Sequence, residues 1–422
     1  MASSEIHGFY KLSVGERLQK LREFDSLSDE EVFLLKKEGA LGFETADRMV
    51  ENVVSTHSLP LGIAAYFRIN GKDCLVPMAL EEPSVVAAAS NAAKLARESG
   101  GFHAESTQPL MIGQVQLVGV NDPEEKIERI MERKRELLGI LAEKDAVLVK
   151  HGGGPRDISA KVIDSSRGRM LVVEILVDVR DAMGANAVNT MCEALAPELE
   201  RLTGGKARLR IISNLAVHRL ARAKEVWKKE AIGEEAVEGV LDAFAFAESD
   251  VFRCATHNKG IMNGIDAVAV ATGNDWRAVE AGAHAYASLG GRYRPLTRYE
   301  KDGRGNLVGS IELPLPVGII GGATKTHPTA KVCLKILGVK SAGELAQVMA
   351  CVGLANNFAA LRALSTEGIQ RGHMELHARN IAVAAGAEGK MIDRVAEVLS
   401  REKNFRVDRA KEILGELKKK TK

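Results

Sequence analysis

Three short segments hold residues whose types suit proton transfer and charge stabilisation. In residues 252–275, FRCATHNKGIMNGIDAVAVATGND, Lys259 sits at a loop-to-helix junction, with Gly260 and Gly264 giving backbone clearance. Residues 266–272 read as a buried strand ending in Gly273-Asn274-Asp275. A short helix followed by a returning strand brings Asp275 close to Lys259. Such a Lys–Asp pair is either a structural ion pair or a reacting one. In residues 76–89, VPMALEEPSVVAAA, the acidic pair Glu81-Glu82 precedes a helix-starting Pro83-Ser84. Acidic residues at that place also serve simply as partners of a helix dipole. In residues 368–380, GIQRGHMELHARN, His373 and His377 lie four positions apart. An ammonium stabilises developing negative charge, and carboxyl and imidazole groups move protons.

Other chemistries find less support. The two histidines have the spacing of a metal pair on one helical face, but the order is HxExH, Glu375 points to nearly the opposite side, and no third ligand is evident. No metal is therefore expected. GxGxxG and GxxxxGK[ST] are both absent. His151-Gly152-Gly153-Gly154 matches an esterase HGGG loop, but the GxSxG elbow those enzymes need is missing.

The elements that position these residues belong to a chain too long for one compact core, so two or three domains are expected. Lys+Arg number 58 and Asp+Glu 56, a balance that argues against a nucleic-acid partner read through a basic field. Five scattered cysteines without a CxxC pair fit free thiols in a cytoplasmic protein. No secretory pattern opens the chain, and no apolar run reaches the roughly 18 to 20 residues that span a bilayer, so no membrane is expected.

Ser13 and Ser28 read as N-caps of two helices, the second with Glu31 completing a capping box and Gly39 ending it. Asn70-Gly71 between two strand-like runs signals a hairpin, and residues 85–99 are helical. Residues 123–148 form one long charged helix, residues 185–202 another, and strands fall near 114–120, 158–163, 170–179 and 207–213. Residues 110–216 thus read as a self-contained α+β unit inserted in a Gly- and Ala-richer domain. The last fifty residues are helical and charged.

Taken together, the HNKG segment, the DAMGAN segment (Asp181–Asn186), Glu51-Asn52-Val53, the glutamate before Pro83, residues 316–327 and the His373 segment resemble those of 3-hydroxy-3-methylglutaryl-CoA (HMG-CoA) reductases, specifically the class II branch that lacks a membrane anchor. The resemblance covers nearly the whole chain. It implies an α+β fold: a large, mainly helical domain for substrate binding and dimerisation (1–109 and 217–373), an inserted small α+β cofactor domain with an antiparallel sheet (110–216), and a C-terminal helical flap (374–422). By position, Glu82, Lys259, Asp275 and His373 look like the catalytic residues. Ser84, Arg253 and Asn263 resemble residues that hold the HMG moiety. Asp181, Met183, Gly184 and Asn186 look like the turn and helix start that face the nicotinamide nucleotide. Asp145 stands where NAD-preferring members carry an aspartate, which implies NAD(H) as the preferred cofactor with NADP(H) also accepted. Asn356 departs from the branch, where a Gln is expected.

The implied reaction interconverts HMG-CoA with mevalonate and CoA, using two NAD(P)H, through mevaldyl-CoA and mevaldehyde. Lys259 would stabilise the oxyanion in a dry pocket, His373 would protonate the CoA thiolate, and Glu82 would give the carbonyl oxygen its proton. Asp275, hydrogen-bonded to Glu82 and Lys259, would tune both, so that the three act as one unit. The resemblance further implies a homodimer with shared active sites, with a hexamer as a larger assembly, the Glu51-Asn52-Val53 segment at the interface, and a flap hinged between Gly368 and Gly372. Rival readings are another acyl-CoA or aldehyde oxidoreductase, a metal-dependent hydrolase using His373 and His377, and a non-catalytic CoA-binding protein.

Overall fold

The computed structural model describes residues 3–37, 39, 41–366 and 378–420. Its N-terminal helices α1 (Val14–Asp25) and α2 (Asp29–Lys36) open on the expected N-caps, Ser28 with the expected capping box and Ser13 with a second box, completed by Glu16, that was not expected from the sequence. The backbone N–H of Ser13 donates to Glu16 at 2.7 Å and that of Ser28 to Glu31 at 2.7 Å. Helix α2 ends at Lys36, three residues before Gly39, which lies beyond it in the left-handed region. After α3 (Phe43–Met49) comes the hairpin β1 (Leu61–Ile69) and β2 (Lys72–Ala79). Asn70 (φ 50°) and Gly71 (φ 78°) make its two-residue turn, the left-handed pair that matches strand twist. Helix α4 (Val85–Ala96) packs on this hairpin, and β3 (His103–Ser106) follows.

The chain then builds a unit with a core of its own. Strands β4 (Leu110–Val118), β5 (Gly154–Ile163), β6 (Met170–Asp178) and β7 (Lys206–Ile212) form an antiparallel sheet in the order β5-β6-β4-β7. Strand β4 alternates inward and outward side chains along its whole length, as a sheet covered on one face requires. Helix α8 (Ala185–Thr203) buries Val188, Met191, Cys192, Leu195 and Leu199 against the same core as Val115, Leu117, Val173 and Ile175. The expected long helix over 123–148 is three helices: α5 (Pro123–Glu132), α6 (Lys134–Lys144) and α7 (Ala146–Lys150). The breaks fall at Arg133 (φ −97°, ψ 7°) and Asp145 (φ −139°, ψ 72°), and the Asp145 carboxylate restarts the helix by accepting from Leu148 N at 2.9 Å.

A second four-stranded sheet has the order β3-β8-β10-β9, with β8 (Leu220–Trp227), β9 (Thr297–Lys301) and β10 (Leu307–Pro314). Helices α9 (Lys229–Ile232), α10 (Glu234–Ser249), α11 (Val251–Ala271), α12 (Trp276–Ser288), α13 (Gly322–Thr326), α14 (Pro328–Leu337) and α15 (Ala342–Ser365) complete this part of the chain. Residues 266–272 are the last turns of α11 and not a strand. A short apolar run cannot be assigned by periodicity alone, and here Ile261, Met262, Ile265, Val268 and Ala269 continue one buried helical face. Lys259 accordingly lies inside a 21-residue helix instead of at a loop junction.

Trp227 stacks on Phe358 with ring centroids 3.9 Å apart at the centre of the large core. Helix α15 is long and apolar enough to cross a membrane, contrary to the sequence expectation, but 67% of its apolar window is buried inside the protein. It is a core helix, bearing on α4, α10 and α11. The C-terminal residues 378–384 are helical, and with helices Lys390–Glu402 and Val407–Lys420 they bury Ile381, Val395, Leu399, Ile413 and Leu414 in a separate cluster. Gly368, Gly372, His373, Met374, Glu375 and His377 lie outside the described residues.

Candidate active site

Helix α11 is fixed in rotation before it presents anything. Asp250 caps its start by accepting from Arg253 N at 2.7 Å. On the inner face, Asn258 donates to Arg294 O at 3.0 Å and accepts from Leu296 N at 3.0 Å. His257 Nε2 meets the Thr297 hydroxyl at 2.6 Å, and Asn357 of α15 donates to His257 O at 3.3 Å. Asn357 in turn accepts from Thr297 and Tyr299, both at 2.9 Å. Burial pushes the His257 imidazole down to about 3, so it is a neutral structural ring and not an acid.

Lys259 emerges on the other side, and its Nζ pairs with Glu82 Oε2 at 2.8 Å. Glu82 comes from the turn between β2 and α4, so two residues far apart in sequence meet because α11 packs on both elements. The same turn holds Ser84 at φ 78°, a left-handed conformation that a serine adopts only when its surroundings impose it. The buried Ser84 Oγ has no hydrogen-bond partner. An orphaned hydroxyl two residues along the chain from the carboxylate of that pair is a natural contact for a bound polar substrate. Asn263 stands one turn along α11 from Lys259 on the same face. Arg253 has no side-chain partner among the described residues, and burial lowers its guanidinium below the usual range.

Two expectations change. The pocket is not dry in one chain: the side chains of Lys259 and Glu82 are 58% and 37% exposed. Nor does Asp275 join the pair. It caps α12, accepting from Arg277 N and Ala278 N at 3.1 Å and pairing with the Arg277 guanidinium at 3.0 Å. Because α11 continues to Ala271 without a returning strand, roughly 18 Å of helix separates Lys259 from that end. Asn356 is buried against Gly264, where a Cβ would come within 2.4 Å of its Nδ2, and that amide nitrogen has no partner.

The DAMGAN turn leads into α8, whose N-terminus has Gly184 as N-cap and no side chain capping it. Among the described residues no side chain caps its first amides, and Asn186 in the first turn is exposed, an arrangement that fits a nucleotide pyrophosphate. The Asp181 carboxylate is already engaged, accepting from Ala342 N at 2.8 Å at the start of α15. A cavity of about 310 Å³ lies beside it, lined by Ser106, Arg180, Asp181, Arg219, Ser341 and Gly343. Asp145 uses one oxygen for its cap. A larger cavity, about 990 Å³, lies elsewhere against the second sheet and contains none of the candidate residues. Volume alone does not locate chemistry, and the lysine–glutamate pair stands on an open face instead. Among the described residues no cluster of His, Cys, Asp and Glu could hold a metal ion, and all five cysteines are free and buried.

Sequence reasoning passed over His257, Asn258 and Asn357. Their signal was polar residues recurring on the apolar face of a helix, where each needs a fixed partner.

Comparison with solved structures defines the class. The fold matches 3-hydroxy-3-methylglutaryl-coenzyme A reductase from Streptococcus pneumoniae with a TM-score of 0.84 and 43% identity, covering 97% of this chain and 99% of that one. It also matches the class II enzyme of the same organism solved with NADPH in open conformations, with a TM-score of 0.82 and 43% identity, covering 96% of this chain and 100% of that one. The sequence gives the family. The family model for hydroxymethylglutaryl-coenzyme A reductase matches residues 13–378. The 3-hydroxy-3-methylglutaryl-coenzyme A reductase of Archaeoglobus fulgidus is 62% identical over 417 residues, 99% of this chain and 95% of its own length. The chain belongs to the hydroxymethylglutaryl-coenzyme A reductase family of oxidoreductases.

Proposed function

We propose that this reductase interconverts HMG-CoA with mevalonate and CoA at a centre built on the Lys259–Glu82 pair, and the 2.8 Å contact between them is the observation that carries the reading. Bound NAD(P)H supplies the hydride in each of two successive reductions. Lys259 stabilises the oxyanion that forms on the thioester carbon, and Glu82 delivers its proton. As the hemithioacetal collapses to mevaldehyde, Glu82 takes that proton back while His373 gives one to the departing CoA sulfur. In the second reduction Glu82 protonates the alkoxide of mevalonate. Ser84, Arg253 and Asn263, none with a side-chain partner among the described residues, hold the HMG group.

The free N-terminus of α8 holds the nucleotide, with Met183, Gly184 and Asn186 at its entrance. Asp145 receives the adenosine ribose hydroxyls and disfavours a 2′-phosphate, so NADH is preferred and NADPH accepted. The NADPH-bound relative makes this preference a property to measure on this chain.

The open face of the pair and the distant Asp275 support a site shared by two subunits, Asp275 arriving from the second copy. Exposed apolar residues around Glu51-Asn52-Val53 fit a subunit contact: Val54 is 91% exposed, with Val50, Leu59 and Leu61 nearby. Residues 374–422 close the site as a flap. The test is reduced-nicotinamide absorbance with HMG-CoA, acetyl-CoA and succinyl-CoA. The expected result is oxidation of NADH with HMG-CoA alone, two cofactors per CoA thiol released. Turnover of another thioester with none of HMG-CoA would overturn the assignment.

A further inference from the structure

We propose that Arg219 is a positioning residue for the nicotinamide nucleotide, clamping the Asp181–Gly184 turn to the strap of residues 317–320 and so to the corner that carries Asp275. This rests on reading that turn as the one facing the nucleotide.

Arg219 is 5% exposed, and among the described residues it makes no direct ion pair, although the Asp181 and Asp178 carboxylates act on it from farther off. Its guanidinium donates from Nη1 to the carbonyls of Ala182 and Met183, both at 3.1 Å, and from Nη2 to Val317 O. Burial brings it down to about 10, so it remains a cation at neutral pH. Burying an arginine without a direct ion pair is unfavourable, and its planar fork meets the three carbonyls from two separated nitrogens, a spread that a single ammonium does not reproduce.

The strap is tied to the turn along its length. Ile319 N donates to Asp181 O at 2.9 Å, and Ala182 pairs with Ile320 as a parallel bridge. A Cβ on Gly318 would lie 2.6 Å from Met183 N, so the two backbones touch where no side chain fits. On its other side, Gly318 N donates to Asn274 Oδ1 at 2.7 Å, one residue before Asp275. Arg219 also follows closely on Ala216, the last residue of the small unit's core. It therefore acts where the chain leaves that unit and reaches back to its nucleotide-facing turn. The candidate nucleotide turn and the candidate catalytic aspartate are thus held in register through one buried cation and one glycine strap.

Two variants test the clamp, with KM and kcat measured separately for NADH and HMG-CoA. Arg219→Lys keeps the charge but loses the fork. Gly318→Ala keeps Arg219 and pushes on the turn, and it decides the matter if the first variant does not fold. Both are expected to raise KM for NADH about tenfold and to lower kcat, since displacements near 1 Å cost up to about a hundredfold in rate. KM for HMG-CoA should stay within about twofold. Folded variants with unchanged NADH kinetics, with or without a lower melting temperature, would show a structural role only and overturn the proposal. Met183→Ala separates the two levels. If it alters KM for NADH while the clamp variants do not, the clamp is wrong and the turn's assignment stands. If none of the three does, both fall.

Discussion

The two faces of helix α11 differ in completeness. On the inner face, His257 and Asn258 are tied to Arg294, Leu296, Thr297 and Asn357 within one chain. On the outer face, Lys259 has one partner among the described residues, Glu82, and both remain open to solvent. The inner face positions, and the chain ties it internally, leaving only the buried His257 Nδ1 of these two residues without a partner. The outer face reacts, and it is left for substrate, a second subunit and the C-terminal segment to finish. Buried polar groups are costly when unpaired, so a protein completes most of them internally. A reacting pair has to keep donors and acceptors free for a ligand.

Substitutions on each face should therefore fail in different ways. Glu82→Gln is expected to lower kcat about a thousandfold, the scale of a lost proton donor, with an unchanged melting temperature. A drop in melting temperature instead would move Glu82 to the structural side of the comparison. Asn258→Ala on the inner face should cost about 2 to 4 kcal/mol in denaturant unfolding, because Leu296 N and Arg294 O lose their buried partner. Its kcat should suffer less than that of Glu82→Gln.

His257 sharpens the contrast through pH. Its folded-state pKa, near 3, is depressed from the ordinary 6.5. Its contribution to stability is thus complete above about pH 6.5 and is lost as pH falls towards 3. Around pH 4.5 the loss is about 2 to 3 kcal/mol, and His257→Gln should remove that part of the acid sensitivity in unfolding midpoints. Equal acid sensitivity in both proteins would contradict a buried neutral imidazole. The smallest effect belongs to the nucleotide site: Asp145→Ala should shift the NADH-to-NADPH rate ratio towards NADPH by about tenfold. An unchanged ratio would take Asp145 out of cofactor selection.

Much of the local structure was legible in the sequence, because the N-cap at Ser13, the capping box at Ser28 and the Asn70-Gly71 turn are encoded within a few residues. The end of α11 was not: its alternation of Ala and Val over residues 266–272 imitates a strand, and only packing on α15 shows the helix. That error propagated to Asp275, since a returning strand would have carried it back to Lys259. Two non-helical residues, Arg133 and Asp145, were enough to break a helix that charge and periodicity read as continuous. The Lys259–Glu82 contact joins residues 177 positions apart, and the resemblance of separate motifs brought them together where local pattern could not.

The most direct test of an incomplete reacting face is subunit complementation. Lys259→Ala and Asp275→Asn chains should each be inactive alone. Unfolded, mixed in equal amounts and refolded together, they should regain about a quarter of wild-type HMG-CoA reduction, because half the dimers are mixed and each carries one intact shared site. No recovery from mixtures that demonstrably contain mixed dimers would mean that Lys259 and Asp275 act within one chain or not together at all, contradicting the account.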